Sequence, residues 1–200
     1  MHRRTLIAAL AVLPAVPALA QAETRRVRGT VEKADGPKLF VKTRDGEDLV
    51  LVAPMGVPFV AVVPATLADL KPGTYVGSGA LPQPDGSLEA IEVHIFPESM
   101  RGTGEGHRPW DGAQQATMTN ANIDTAVSAV DGSTLTLKYK DGEKKLKVTP
   151  KTAIVTYAPG DRAEVTAGTR LVVTAATKQP DGGWQAARVA YGRNGLTPPM

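Results

Sequence analysis

The feature that most constrains the fold of this chain is an internal repeat. Three short turn sequences recur 96 residues further on: Asp35-Gly36 as Asp131-Gly132, Asp45-Gly46 as Asp141-Gly142, and Pro84-Asp85-Gly86 as Pro180-Asp181-Gly182. A fourth, Gly73-Thr74, recurs as Gly168-Thr169 one residue early, and loops tolerate such compensated length changes. Because order and spacing are both kept, the chain contains two copies of one folding unit.

Short stretches with alternating apolar residues lie between the turns and indicate six strands in each copy. The first copy gives VRGTVEK, KLFVKT, EDLVLVA, PFVAVV, TYVGSGA and SLEAIEVHIF, and the second gives IDTAVSAV, TLTLKYK, KKLKV, TAIVTYA, RLVVTAA and GWQAARVAY. Asp-Gly favours tight hairpins because glycine readily adopts positive φ. Six short strands bury one face best by curling into a small barrel.

We therefore predict an all-β fold of two tandem six-stranded antiparallel barrels. The first barrel is expected over residues 24–96 and the second over residues 123–192. Residues 97–122 show neither strand nor helix periodicity and are predicted to form an irregular linker. Residues 193–200 are predicted to be a flexible tail.

The first 20 residues have the layout of a secretory signal peptide, with His2, Arg3 and Arg4 before an apolar run that ends in small residues. Cleavage after Ala20 and cleavage after Ala22 both fit. The run is too short and too interrupted by proline to span a bilayer, and no later stretch qualifies. The chain is thus expected to be periplasmic or secreted and not membrane-spanning.

Composition argues against a nucleic-acid partner. Loss of residues 1–20 reduces the 23 basic residues to 21, against 20 acidic residues, so the mature chain is nearly neutral. Aromatic residues make up only 4% of the chain, which leaves few side chains to stack on bases. There is no cysteine, which excludes disulfides and thiolate chemistry.

The region around the linker contains side chains that could bind a metal ion. Alternation with Val93 places His94 on the outside of the first predicted barrel, and His107 lies in the linker. Zinc would suit a nitrogen and carboxylate set as cofactor, and copper(I) would suit a set with added thioethers. The candidate ligands are His94, His107, Glu98, Glu105, Met100 and Met118.

The main alternative is that the linker is a structural clasp between the barrels. Trp110 would anchor it by covering an apolar strip at Leu49 and Leu51. The charged side chains of Arg101, Arg108 and Asp111 would neutralise charges as the segment folds back. No nucleophile elbow or oxyanion-hole sequence occurs near the polar residues of the linker, so we expect the protein not to be an enzyme.

A lysine-rich hairpin in the second copy is a candidate for contact with an anionic surface. Exposed lysines on strands commonly protect sheet edges, and near an anionic membrane each contributes about 1 kcal/mol. The four candidate residues are Lys138, Lys140, Lys145 and Lys147. The partners expected from this reading are an envelope protein or an anionic envelope surface.

Two motifs carry resemblances to known proteins. DLKPGTYV at 69–76 followed by PDGSLEAIEV at 84–93 is similar to small OB-like barrel domains of unknown function in bacterial exported proteins. MRGTGEGHRPWD at 100–111 resembles a segment of proteobacterial secreted proteins, some of which are labelled as related to metal transporters. The sequence thus predicts an exported, non-enzymatic binding or interaction protein with the linker as clasp and recognition site, and a copper or zinc protein is the alternative.

Overall fold

The structure is a computed structural model that describes residues 22–129 and 132–199. The predicted signal peptide, residues 1–20, lies outside the described residues. Within the described part, fifteen strands and four three-residue 3-10 turns form, so the all-β prediction is confirmed. No helix in the described residues is long and apolar enough to cross a membrane.

Seven strands come from each copy, and one extra strand lies between the two sets. The first copy gives β1 (Thr24–Asp35), β2 (Lys38–Thr43), β3 (Asp48–Val52), β4 (Phe59–Pro64), β5 (Tyr75–Pro82), β6 (Leu88–Ala90) and β7 (Glu92–Ile95). The extra strand is β8 (Gly106–Pro109). The second copy gives β9 (Thr117–Ala129), β10 (Gly132–Tyr139), β11 (Gly142–Val148), β12 (Ala153–Pro159), β13 (Arg170–Lys178), β14 (Trp184–Ala186) and β15 (Val189–Gly192).

The strands close into two five-stranded rings, and each ring combines both copies. The first barrel has the order β1-β2-β3-β14-β13, with β13 pairing back to β1. The second barrel has the equivalent order β9-β10-β11-β6-β5, with β5 pairing back to β9. The expected arrangement, in which each copy closes a barrel of its own, is therefore not the one found. The copies instead exchange their later strands.

The exchange also makes the sheet mixed rather than antiparallel. The third strand of each ring pairs in parallel with a strand of the other copy, as β3 does with β14 and β11 with β6. Parallel partners require a long crossover, which the path between copies supplies. Between the rings, β4 and β12 pair with each other antiparallel, and this pairing joins the two barrels into one continuous sheet.

The turns explain why the hairpins form where the sequence predicts them. The β1–β2 hairpin turns at Gly36, which has φ +53°, and Gly86 turns the chain between β5 and β6 with φ +82°. The last predicted strand of each copy is split in two. Its first part lies in a barrel, as β6 or β14. Its second part pairs with a strand between the barrels, β7 with β12 and β15 with β4.

Each barrel has its own apolar core. Leu39, Leu51 and Leu171 are among the fully buried side chains of the first core, which thus draws on both copies. Ile123, Leu135 and Val76 are buried in the second core, which likewise contains residues of both copies. A smaller cluster of Val62, Val155 and Ala190 lies at the junction.

Candidate functional site

The central linker is more ordered than its sequence predicts. After a 3-10 turn over Glu98–Met100, its strand β8 pairs with the start of β9, along an edge that β10 leaves free. The chain then reverses over residues 111–115, and the backbone N–H of Trp110 donates to the Ala116 carbonyl at 2.9 Å. The linker expected to be irregular is thus an additional hairpin of the second barrel.

Two glycines of β5 leave room for aromatic rings, Gly79 for Trp110 and Gly77 for Phe96. A Cβ atom at Gly79 would lie 2.6 Å from Trp110 Cη2, and one at Gly77 would lie 2.9 Å from Phe96 Cε2. Real Cβ contacts are essentially never closer than 3.0 Å. The aligned positions of the second copy hold Val172 and Thr174, on β13. Only the first copy therefore has a strand face bare enough for an indole ring.

The expected contact of Trp110 with Leu49 and Leu51 does not occur. Both leucines are buried in the core of the first barrel, because β3 turns that side of the strand inward. Trp110 instead forms a small cluster with Ala116 and Met118 on the outside of the second barrel.

Asp111, the next residue, reaches across to the first barrel. Its carboxylate accepts hydrogen bonds from Arg28 Nη1 at 3.1 Å and from Arg28 Nη2 at 2.9 Å, and it also pairs with Arg26. The hydrogen bonds from Arg28 lower the pKa of Asp111, with help from the charge of Arg26. Adjacent linker residues thus contact different barrels, Trp110 the second and Asp111 the first.

The two arginines of the predicted clasp, Arg101 and Arg108, bond to the linker and to the second barrel. Arg101 pairs with Glu98, with a 2.6 Å contact, and also donates to Asn122 and to the Gly73 carbonyl. Arg108 Nη1 donates to the Gly104 carbonyl at 2.7 Å. These bonds tie the linker to itself and to the second barrel.

A cavity of about 530 Å³ lies where the linker bridges the barrels, and we call it the inter-barrel cavity. Its volume is within the range typical of small-molecule sites. It is lined on its charged and aromatic sides by Arg26, Phe96, Arg108, Trp110, Tyr157 and Arg188. Asp111, Met118 and Asn120 also contribute to its wall.

Two ionisable side chains are buried beside this cavity without a hydrogen-bond partner. Glu92 and His94, both on β7, are 0% and 1% exposed, and within residues 22–129 and 132–199 neither the carboxylate oxygens nor the ring nitrogens have a hydrogen-bond partner. Burial raises the pKa of Glu92 to about 8, opposed by the charges of Arg28 and Arg26. Burial lowers the pKa of His94 to about 3. Both groups are therefore uncharged near neutral pH.

His94 points away from the barrel core as its alternation with Val93 predicts, but it is not on the surface. Its ring lies 4.0 Å from that of Tyr157 and 5.4 Å from that of Phe96, measured between centroids. Tyr157 belongs to β12, which pairs with β7 from the other copy. The strand exchange thus covers a face that one isolated barrel would leave open to solvent.

The two histidines do not converge. His107 Nδ1 lies 2.8 Å from Thr119 Oγ1, and Thr119 shares the inward side of β9 with the core residue Ile123. His94 lies on the opposite face of the sheet. Gly77 of β5 pairs with His94 on one side and with Asn120 on the other, so His94 and Asn120 point to the same face. Three strand spacings, about 14 Å, separate their backbones. Burial lowers the pKa of His107, and nearby Lys144 and Arg108 add to the shift.

The other candidate metal ligands are engaged separately. Glu98 pairs with Arg101, and Glu105 accepts a hydrogen bond from the Lys140 amide at 3.0 Å. Met118 packs under Trp110, whereas the sulfur of Met100 lies 3.5 Å from Arg188 Nη1. Among the described residues, no group of three or more histidine, cysteine, aspartate or glutamate side chains is arranged to hold a metal ion.

Sequence reasoning identified Trp110 and Asp111 in the linker but missed the residues that face them. Arg26, Tyr157 and Arg188 come from three different strands or their flanks, and only the strand exchange brings them to one cavity. The sequence signal for this site was the difference between the aligned copies, because Gly77 and Gly79 of the first copy align with Val172 and Thr174 of the second.

In comparisons with family models, curated proteins and solved structures, nothing matched this chain.

Proposed function

We propose that this protein is an exported, non-enzymatic binding protein whose recognition site is the inter-barrel cavity. One observation carries the proposal: the linker spans both barrels through Trp110 and Asp111 and, in doing so, walls a cavity of about 530 Å³. Largely preformed, concave sites with aromatic walls and a few charged groups are typical of small-molecule binding.

We also propose that the two barrels are OB-like, and the strand order supports this. In each ring three strands that are consecutive in the chain lie side by side, β1-β2-β3 in one ring and β9-β10-β11 in the other. The third of them pairs in parallel with the later of the two remaining strands, β3 with β14 and β11 with β6, and that strand pairs with the earlier one, β13 or β5. That order is the one expected of a five-stranded Greek-key barrel of the OB type. Export is proposed from the signal-like residues 1–20 alone.

Buried groups around the cavity favour binding as the role of this region. Six buried polar atoms, on Glu92, His94, Trp110 and Asn120, have no hydrogen-bond partner among the residues that the structure describes. Native proteins keep few such atoms, and a bound ligand, ion or water is one explanation for those present. Glu92 and His94 lie behind the aromatic wall rather than in it, which suits positioning better than catalysis.

A thermal-shift screen of small organic acids, bases and neutral compounds tests the proposal. We expect a subset to raise the melting temperature of the wild type and to lose that effect in the Trp110→Ala variant. The Trp184→Phe variant is the matched control, because Trp184 belongs to the first barrel core and not to the cavity. If no compound gives a rise that depends on Trp110, the inter-barrel cavity is not the recognition site.

A second candidate is attachment to an anionic envelope surface through the lysine hairpin. Lys138, Lys140, Lys145 and Lys147 are all exposed, and none forms an ion pair within the described residues. We expect co-sedimentation with vesicles containing phosphatidylglycerol to fall with added salt and with loss of these charges. Equal sedimentation with neutral phosphatidylcholine vesicles would exclude the electrostatic attachment.

A further inference from the structure

Two guanidinium groups of the inter-barrel cavity have no carboxylate partner in the part of the chain that the structure describes. Arg108 donates only to the Gly104 carbonyl, and Arg188 contacts the Met100 sulfur. Guanidinium carries five N–H donors, so most donors of each group remain available to a ligand. These two side chains are the cations of the cavity that internal ion pairing does not use.

The local charge balance is strongly positive. Asp111 is the only acidic residue among the described residues that line the cavity, and it is shared by Arg26 and Arg28. Glu92 lies behind the wall and stays protonated near neutral pH, because burial raises its pKa to about 8. A cleft with this excess of arginine concentrates anions.

Much of the remaining wall is apolar and includes flat aromatic rings, beside the polar side chains of Thr103, Asn120 and Thr174. The rings of Phe96, Trp110 and Tyr157 form its aromatic part, and Met118 and Val172 add aliphatic surface. Rings of this kind bind planar apolar groups by offset stacking and area burial. A bare inorganic anion would leave this surface in contact with water.

We propose that the inter-barrel cavity binds a small organic anion, with a carboxylate or sulfonate group at Arg108 and Arg188 and a flat apolar body against Trp110 and Phe96. The inference rests on the proposed function and names the ligand class of the same site. Arginine is suited to this role because its planar donors match the geometry of two anionic oxygens. The apolar body supplies affinity, and the anionic group orients the ligand.

Two fluorescent probes with nearly the same aromatic skeleton test the proposal. 8-Anilinonaphthalene-1-sulfonate carries a sulfonate, and N-phenyl-1-naphthylamine has the same aromatic amine without it. Both are titrated at pH 7 against the full chain, with and without Trp110→Ala. We expect saturable 1:1 binding of both probes that requires Trp110, with the anionic probe bound at least tenfold more tightly.

The arginine variants then separate charge from shape. Arg108→Met and Arg188→Met are each expected to weaken the anionic probe about tenfold to hundredfold, the usual loss of a hydrogen bond to a charged group. Neither should change the neutral probe by more than about twofold. Lys151→Met is the control, because it removes an exposed cation that does not line the cavity.

Each outcome decides between the two proposals. If both probes bind equally in a manner that depends on Trp110, or the arginine variants bind the anionic probe normally, the anion inference is wrong and the cavity remains a binding site. If neither probe binds in a manner that depends on Trp110, the inference and the proposed recognition site both fail.

Discussion

Replacing Gly79 with threonine should expel Trp110 from its place on β5. Threonine is the residue at the aligned position of the second copy, Thr174, so the strand itself tolerates it there. In the first copy, the new Cβ would lie 2.6 Å from Trp110 Cη2 and 2.8 Å from Cε3. Since two carbons need about 3.5 Å or more, the indole ring must leave.

The expected cost follows from the burial of the ring. Trp110 is 8% exposed, and loss of a buried tryptophan costs about 3–5 kcal/mol. Removing a glycine from a strand returns about 0.5–1 kcal/mol, so the free energy of unfolding should fall by about 2–4 kcal/mol. Propensity alone predicts the opposite sign. Urea unfolding followed by circular dichroism measures the difference.

A double-mutant cycle with Trp110→Ala isolates the cause. In the alanine background no ring opposes the threonine, so Gly79→Thr should raise the free energy of unfolding by about 0.5–1 kcal/mol. An equal cost in both backgrounds would show that the glycine serves the strand and not the ring, and the account of how the linker packs would be wrong.

Two further predictions concern charge. Asp111→Asn should lower the free energy of unfolding by at most about 1 kcal/mol at pH 7, because the carboxylate is largely exposed. Since Arg28 lowers the pKa of Asp111, this contribution is lost as the carboxylate is protonated, and the stabilities of the wild type and the variant should converge below about pH 4. Urea unfolding from pH 3 to pH 7 checks this. Glu92→Gln should gain stability relative to the wild type as pH rises from 4.5 to about 8, by at most about 1.4 kcal/mol per pH unit, because the folded state holds a proton that the unfolded state releases. A constant difference over that range, measured by thermal melting, would mean that Glu92 is charged in the folded protein.

The strands and hairpins could be predicted because they depend on neighbouring residues. Alternation and Asp-Gly turns specify β1, β2 and β3 as one unit and β5 with β6 as another. The pairing between such units could not be predicted, since both copies offer equivalent partners. The choice rests on long-range contacts such as β4 with β12, which local sequence does not reveal.

The candidate site shows the same division. Trp110 is buried, but against the second barrel and not over Leu49 and Leu51 as expected. His94 lies away from the barrel core, but it is buried and not on the outside as expected. Its burial was missed because Tyr157, which covers it, belongs to the other copy. Site residues contributed by exchanged strands are invisible to a reading that treats each copy as a separate barrel.

Hydrogen exchange with and without a bound organic anion from the thermal-shift screen tests the central claim most directly. We expect slower exchange in the amides of residues 98–120, which include β8, and in β13 beside Val172, with little change in the lysine hairpin at 138–147. Protection confined to the lysine hairpin would contradict the account, because it would place the ligand on the outer face of the second barrel.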